Sequence, residues 1–500
     1  MNSDATFPGR SAGVLLHITS LPSPWGVGDL GATARDFARR LGASGQRYWQ
    51  TLPLNPTTVA AGESPYFSNS SRAGNPLLIS LEDLCEDGLL EPSELPEATH
   101  EQAGTANFAL ARRLKSAPLT VAARRLLQRR DSAFRAFCDE HAAWLDDHAR
   151  FSAVAAALGQ RWRDWPDPIK YREQTALDTL EREHADQISV EKALQYLFQR
   201  QWRALHDCCR DRGVRLFGDM PIYVNMDSAD VWGAPGVFEL DESLEPRLEA
   251  GVPPDYFSAT GQLWRNPVYR WDTLAGDNFD WWVSRLRTLL ARFDVLRIDH
   301  FRGLAQFWAV HAGAEDARDG EWRDVPSTAL FDRLFAAVHP LPIVAEDLGT
   351  ITPDVIELRD RYAIPGMIVL QFAFGDDHHD NPYKPENHRD NAVAYLGTHD
   401  NTTCLDWLQH ALDDAARHRL GAHTHAPADE HGVRAMIDLL LSSQARTAIV
   451  CAQDLLALPA SARMNTPGEE SGNWRWQLTP RQFAALPLDA FADRCRAFGR

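Results

Sequence analysis

The 500-residue sequence predicts an α/β chain folded as a (β/α)8 TIM barrel, on three observations. There are eight short apolar runs bounded by turn residues, helix-period segments between most of them, and acidic clusters at the C-terminal ends of three runs. The runs lie at 13–19, 46–54, 214–224, 293–300, 342–347, 366–374, 392–398 and 447–453. Eight is the number of strands on which such a barrel closes. FDVLRID, PIVAED and AVAYLGTHD are apolar and rich in branched residues with little alternation, the pattern of strands covered on both faces of a parallel sheet.

Taken in order, the first run is followed by a helical pattern at 32–41, and later ones by patterns at 190–212, 279–292, 329–338 and 433–443. Strand and helix therefore alternate as a parallel barrel requires. The alternation breaks after the second run, where about 160 residues separate Leu54 from Val214 and carry Ala- and Arg-rich helical patterns. These predict a helical subdomain at about 55–190, inserted on the barrel mouth. A second insertion, at about 225–278 after the third run, is rich in aromatics, prolines and glycines without clear period, as expected of an active-site loop on a rigid scaffold. The whole of 1–500 is read as one catalytic barrel domain with these two insertions.

Composition narrows the function. With 44% apolar and 24% charged residues the chain reads as a soluble globular protein, without the eighteen-residue apolar run that a membrane helix needs. MNSDATFPGR lacks the basic and apolar regions of a secretory signal, so a cytoplasmic protein is expected. A net charge of -18 argues against nucleic acid or an anionic membrane as partner, since both are bound through clustered Lys and Arg. Seven scattered cysteines contain no C-x-x-C pair, and the vicinal Cys208-Cys209 fall in a helical pattern where packing is the expected role. The sixteen tryptophans serve mostly as packing residues, but their flat faces also suit sugar rings.

The acidic clusters are Arg297-Ile298-Asp299-His300, Ala345-Glu346-Asp347-Leu348-Gly349 and Thr398-His399-Asp400-Asn401. Asp299 and Glu346 are 47 residues apart, one βα unit with a modest excursion, and Asp400 follows 54 residues later, two units on. They would end strands four, five and seven and converge on the barrel mouth, where such folds place their chemistry. Cleaving a glycosidic bond with retention needs a nucleophilic carboxylate and a carboxylic acid about 5 to 5.5 Å apart, which neighbouring strands can supply. Arg297, two residues before Asp299, shares its face of the strand and would keep it ionised as the nucleophile. Glu346 is then the acid/base. Asp347 points to the opposite face by strand alternation. Asp400 is left to bond sugar hydroxyls as the oxocarbenium-like transition state forms, with His399 sharing that work.

Competing signatures fail on context. Gly26-Val27-Gly28-Asp29-Leu30-Gly31 matches a dinucleotide fingerprint, but two prolines separate it from the first run and no acidic residue occurs from Phe37 to Gly62. The P-loop lysine motif, H-E-x-x-H and EF-hand patterns are missing, and His378-His379 sit in a polar loop. The expectation is therefore no metal and no cofactor.

GDMPIYV (218–224), VLRIDHFRG (295–303), VAEDLG (344–349), LGTHDN (396–401) and ARMNTPG (462–468) together resemble glycoside hydrolase family 77, the amylomaltase or disproportionating-enzyme family. GVPPDYFSATGQLWRNPVYRWD (251–272) and SGNWRWQL (471–478) extend the resemblance from Gly13 to Leu478. It implies an α-amylase-type barrel with inserted subdomains. It also implies transfer of α-1,4-glucan segments from a maltooligosaccharide or starch donor to the 4-OH of an acceptor glucose or glucan, with retention. On matching positions Asp299 corresponds to the nucleophile, Glu346 to the acid/base and Asp400 to the transition-state stabiliser. Arg297, His399 and Asp219 fall on substrate subsites, Tyr256 and Phe257 on the aromatic tip of a loop over the cleft, and Trp264 further along it. Tyr66, in Ser64-Pro65-Tyr66, joins the substrate-binding set. Two departures lie near the site and bear on chain-length preference: Arg72 where an aromatic is common, and Thr402-Thr403-Cys404 where an acidic residue often comes first.

Transfer and hydrolysis share the glycosyl-enzyme, and the loop decides between them. Pro253-Pro254 stiffen one end, Gly261 permits a turn, and Tyr256, Phe257 and Trp264 offer faces that exclude water while an acceptor sugar is held. A hydrolysing α-glucosidase or amylase is the alternative among enzymes, and a glucan-binding protein on an inactive barrel is the alternative of another class.

Overall fold

The computed structural model describes residues 7–98, 104–254, 258–469 and 471–500. Twelve strands occur in it: β1 Ser11–Leu15, β2 Tyr48–Gln50, β3 Arg215–Met220, β4 Leu248–Val252, β5 Gln262–Pro267, β6 Val295–Ile298, β7 Gln306–His311, β8 Gly320–Asp324, β9 Ile343–Ala345, β10 Gly366–Val369, β11 Ala392–Tyr395 and β12 Thr447–Cys451. Eight form one sheet in the order β10-β11-β12-β1-β2-β3-β6-β9, every pair parallel. Each of the eight predicted runs contains one of these strands or most of it.

The two ends of that order meet. Ala345 N–H donates to the Pro365 carbonyl at 2.8 Å, and the Asp347 carboxylate takes over where ladder bonds stop. Its Oδ1 accepts from Met367 N–H at 2.7 Å, and its Oδ2 from Arg359 at 2.6 Å and Arg389 at 2.7 Å. Gly366 is needed at this seam, because a Cβ there would lie inside the Asp347 carboxylate and the Arg389 guanidinium.

Strand alternation sorts the core into two layers. Leu15, Tyr48, Phe217, Val295, Val344, Met367, Val393, Tyr395 and Ile449 pack together in the lumen. Their neighbours Val14, Trp49, Leu216, Leu296, Ile343, Ile368, Ala394 and Val450 face outwards into the helix layer. Helix Ala32–Ala43 shows how that layer forms: Ala34, Phe37, Ala38 and Leu41, spaced at helical intervals, are its buried residues, and Phe37 meets Trp49 edge-on at 4.9 Å. The same period of two carries past the strand ends. On β6 it puts Arg297 and then Asp299 on the face of Val295, and after β9 it puts Glu346 on the face of Val344.

Between β2 and β3 run the long helices Phe108–Gln128 and Ser132–Leu158, then Ala185–Arg210, which packs on both and on Ala32–Ala43. Asn107 and Asp131 cap the first two by accepting amides of the first turn, and Gly159 ends the second in the left-handed region. Lys115, fully buried, ties this subdomain down by donating to the Leu77 carbonyl at 2.6 Å and to Asp29 at 3.4 Å.

The segment read as a loop at 225–278 is more ordered than its composition suggested. It contributes β4 and β5 to a four-stranded antiparallel sheet, order β5-β4-β7-β8. β7 and β8 come from the excursion between β6 and β9, where no strand was expected. Trp232, on the short helix Ala229–Gly233, packs against Phe151 and Trp165 and so joins the two insertions.

Candidate active site

At the C-terminal ends of β3, β6 and β9 one guanidinium organises the charges. Arg297 donates to both oxygens of Asp219, at 2.9 and 2.7 Å, and pairs with Asp299 Oδ1 at 2.7 Å. Burial opposes the Arg297 charge, but Asp219 and Asp299 outweigh it and hold the guanidinium well above its ordinary value. Asp219 is completely enclosed, and burial is the largest influence on it, raising its carboxyl against the pull of Arg297. The Asp299 side chain keeps 30% of its surface exposed at the mouth.

Glu346 has a different environment on the neighbouring strand end. Its two carboxyl oxygens each accept a main-chain amide, from His300 at 2.7 Å and from Leu348 at 3.1 Å. The backbones are locked as well, through Glu346 N–H to Ile298 and Phe301 N–H to Glu346, both at 3.1 Å. Burial pushes Glu346 up to about 7; Asp299 adds to this, while Arg297 and the two amides oppose it. A carboxyl in that range is half protonated at neutral pH, which suits a proton donor that must also act as a base.

Tyr66 links the other side of the mouth. Its hydroxyl donates to Asp219 Oδ2 at 2.8 Å and lies 3.0 Å from His399 Nε2, with the two rings stacked at 5.4 Å. Burial raises the Tyr66 hydroxyl far above its usual value, so it remains a neutral donor. With its single proton on Asp219, the contact to His399 requires that Nε2 carry a hydrogen. Asp400 follows His399 and is half open to solvent. Its Oδ1 accepts from Asn465 at 2.6 Å and lies 3.4 Å from His399 Nε2, and its carbonyl accepts from Arg463 at 2.6 Å.

The structure thus places Asp219, Arg297, Asp299, Glu346, Tyr66, His399 and Asp400 at one end of the barrel: Arg297, Asp219 and Tyr66 link Asp299 to His399 and so to Asp400, and Glu346 joins them through the His300 amide that follows Asp299. Trp264 reaches the same place on β5, with its ring 4.8 Å from that of His300, edge to face. Tyr256 and Phe257 lie outside the described residues. Arg72 takes the place expected of an aromatic but is buried under the mouth, donating to Ser284 at 3.1 Å and lying over the Trp281 ring. Thr402 and Thr403 serve the chain locally: Thr402 donates to Asp406 at 2.6 Å, and Thr403 caps the turn that begins at Cys404.

Four residues were given no role from sequence. His300 adopts a left-handed φ of 49°, which turns its amide onto Glu346. Burial pushes its ring down to about 4, keeping it neutral. Asn465 and Arg463, far along the chain, brace Asp400, and Trp474 lies beside Tyr66 and His399. All four fall inside quoted motifs, which was the available signal; their contacts are tertiary and leave no spacing to read.

The profile of a family described as 4-alpha-glucanotransferase matches residues 16–482. The chain is 44% identical to the 4-alpha-glucanotransferase of Thermus thermophilus over 488 residues, 95% of this chain and 96% of that protein. It is 43% identical to the chloroplast and amyloplast 4-alpha-glucanotransferase of Arabidopsis thaliana, over 97% of this chain and 84% of that one. Among solved structures it is similar to the amylomaltase of Streptococcus agalactiae in complex with acarbose, at 34% identity and a TM-score of 0.94, covering 98% of this chain and 99% of that chain.

Proposed function

Because the chain belongs to the 4-alpha-glucanotransferase family and is an enzyme of that type, we propose that Asp299 is its nucleophile, Glu346 its acid/base and Asp400 its transition-state stabiliser. The enzyme moves α-1,4-glucan segments from donor to acceptor with retention. In the first step an Asp299 oxygen bonds to the anomeric carbon while Glu346 gives its proton to the departing glycosidic oxygen, releasing the shortened donor. In the second, the Glu346 carboxylate takes the proton of an acceptor 4-OH, which displaces Asp299 and restores the α-linkage. Asp400 bonds sugar hydroxyls as charge develops on the ring.

The observation that carries this reading is the contrast between the two neighbouring carboxylates: Asp299 rests 2.7 Å from a guanidinium, whereas half-buried Glu346 accepts two main-chain amides among the described residues and is raised to about 7. Arg297, Asp219, Tyr66 and His399 form the floor of the subsite beside Asp299 in this proposal. Trp264, with Tyr256 and Phe257, shapes the loop that favours a sugar hydroxyl over water. The donor is a maltooligosaccharide or starch chain and the acceptor a glucose or maltooligosaccharide. The helices between β2 and β3 and the small sheet act as mouth-building parts of one catalytic domain. No helix among the described residues is long and apolar enough to cross a membrane, and all seven cysteines are free, which supports work in a reducing cytoplasm.

Incubation of the purified enzyme with maltotriose tests the reading. A ladder of longer maltooligosaccharides with glucose released and total reducing ends constant is expected. Rising reducing ends without a ladder would overturn transfer in favour of hydrolysis.

A further inference from the structure

Both amides that hold Glu346 belong to loops outside its own strand: His300 follows β6 and Leu348 follows β9. Beyond the Phe301-to-Glu346 backbone bond, the Arg302 side chain ties the same two loops further out. Its Nη1 donates to the Thr350 carbonyl at 2.8 Å and to Thr352 Oγ1 at 3.0 Å. Thr352 begins helix Pro353–Arg361 but its hydroxyl caps no amide there, so it is free to accept. Arg302 lies two residues after His300, and Thr350 two residues after Leu348, so one guanidinium spans the loops just beyond the two donors.

The guanidinium is itself held flat. Its carbon lies 4.0 Å from the centre of the Trp322 ring, and Trp322, on β8, meets Trp308 of β7 edge to face at 5.2 Å. Arg302 is buried, whereas Trp322 is 37% exposed. One Nη1 serves both oxygens, and stacking on the ring orients its two hydrogens in the guanidinium plane, an orientation that an ammonium on a flexible stem lacks.

Resting on the reading of Glu346 as the acid/base, we infer that Arg302 is a positioning residue for that reaction. It braces the loop after the nucleophile strand against the loop after the acid/base strand, with Trp322 as its stacking plate, so that the His300 and Leu348 amides stay aimed at the Glu346 carboxyl. Asp354 is the charged neighbour that favours the guanidinium against its burial.

Arg302→Met keeps the stem and removes the donors. On maltotriose it is expected to lower kcat about tenfold with KM changed less than about twofold, since misalignment acts on the chemical step. The same variant should move the high-pH limb of kcat/KM upwards by about half a pH unit, because amides that bond the carboxylate hold it down and their loss releases it. Arg302→Lys should recover part of kcat, and Trp322→Ala, at an exposed position that tolerates truncation, should move kcat and the limb in the same directions by less. Wild-type kcat and an unmoved limb in Arg302→Met and Trp322→Ala would overturn the brace, as would a kcat loss with the limb unmoved. If Arg302→Met does not fold, Trp322→Ala decides by the same two readouts. Glu346→Gln separates the two levels: near wild-type transfer by it sinks the acid/base reading, whereas an inactive Glu346→Gln beside a neutral Trp322→Ala and Arg302→Met sinks the brace alone.

Discussion

Replacing Glu346 by Gln removes the proton and keeps the shape, and the structure allows the consequence to be worked out. An ordinary glutamic acid at 4.5 would be protonated in about 0.3% of molecules at pH 7, whereas one raised to about 7 is protonated in about half. Burial therefore multiplies the competent fraction by about 150, a bias of about 3 kcal/mol towards the neutral acid. The protonated form is the one required for the first step, so kcat/KM should be level below about 7 and fall tenfold per pH unit above it. With maltotriose, Glu346→Gln should lose about 10² to 10⁴ in rate and lose the high-pH limb with it.

A donor with a leaving group that needs no proton distinguishes acid/base catalysis from general damage. With α-maltotriosyl fluoride, Glu346→Gln should still form the glycosyl-enzyme and then stall, because no base activates the acceptor. Azide, which attacks without deprotonation, should restore turnover and give the α-configured azide. Equal losses on maltotriose and on the fluoride, with no azide rescue, would refute the assignment. So would a limb that survives the substitution.

Three further outcomes follow from other sites. Asp454, buried on Ala452–Leu455 after β12, accepts the Cys404 amide and is pushed up to about 7 by burial. The native state then binds its proton more tightly than the unfolded chain, so stability falls as pH rises from about 4 to about 7; Asp454→Asn should raise the unfolding free energy at pH 8, by at most about 4 kcal/mol, and change it little at pH 4. Asp347→Asn should cost about 1.5 to 3 kcal/mol in a denaturant titration, because it weakens the charge-assisted bonds of Arg359 and Arg389 at the barrel seam while Arg359 keeps its pair with Asp360. Trp264→Ala should raise the reducing ends formed per glucose released about threefold, the change given by about 0.6 kcal/mol of lost ring contact.

The eight barrel strands were legible because burial on both faces leaves runs such as GMIV and AVAY with nothing charged to interrupt them. Their lengths were not: the run at 46–54 supplies only Tyr48–Gln50 as strand, since the chain leaves the sheet while remaining buried. The second sheet was hidden for the opposite reason. β8 reads GEWRD and is mostly exposed, and β5 reads QLWRNP with a proline at its end, so neither shows an apolar alternation that competes with a loop reading. The three carboxylates stood out because each ends an apolar run. Asp347 was legible only by exclusion from the mouth; its service at the seam depends on Arg359 and Arg389, which no spacing connects to it.

Two carboxylates on adjacent strands of one barrel would ordinarily behave alike, and this chemistry fails unless they differ. The difference comes from what each strand end is given. β6 carries its own cation two residues before Asp299, on the same face by strand alternation, and β3 adds Asp219, which holds the far side of that guanidinium. β9 carries no cation on the Glu346 face and relies on amides borrowed from the loops after β6 and β9. The amides orient Glu346 and lower it, but burial and the nearby Asp299 charge outweigh them and Arg297, so Glu346 stays poised while Asp299 faces a fixed counter-charge. Exchanging these environments, by placing a cation beside Glu346 or removing the one beside Asp299, would erase the division of labour even with both carboxylates in place.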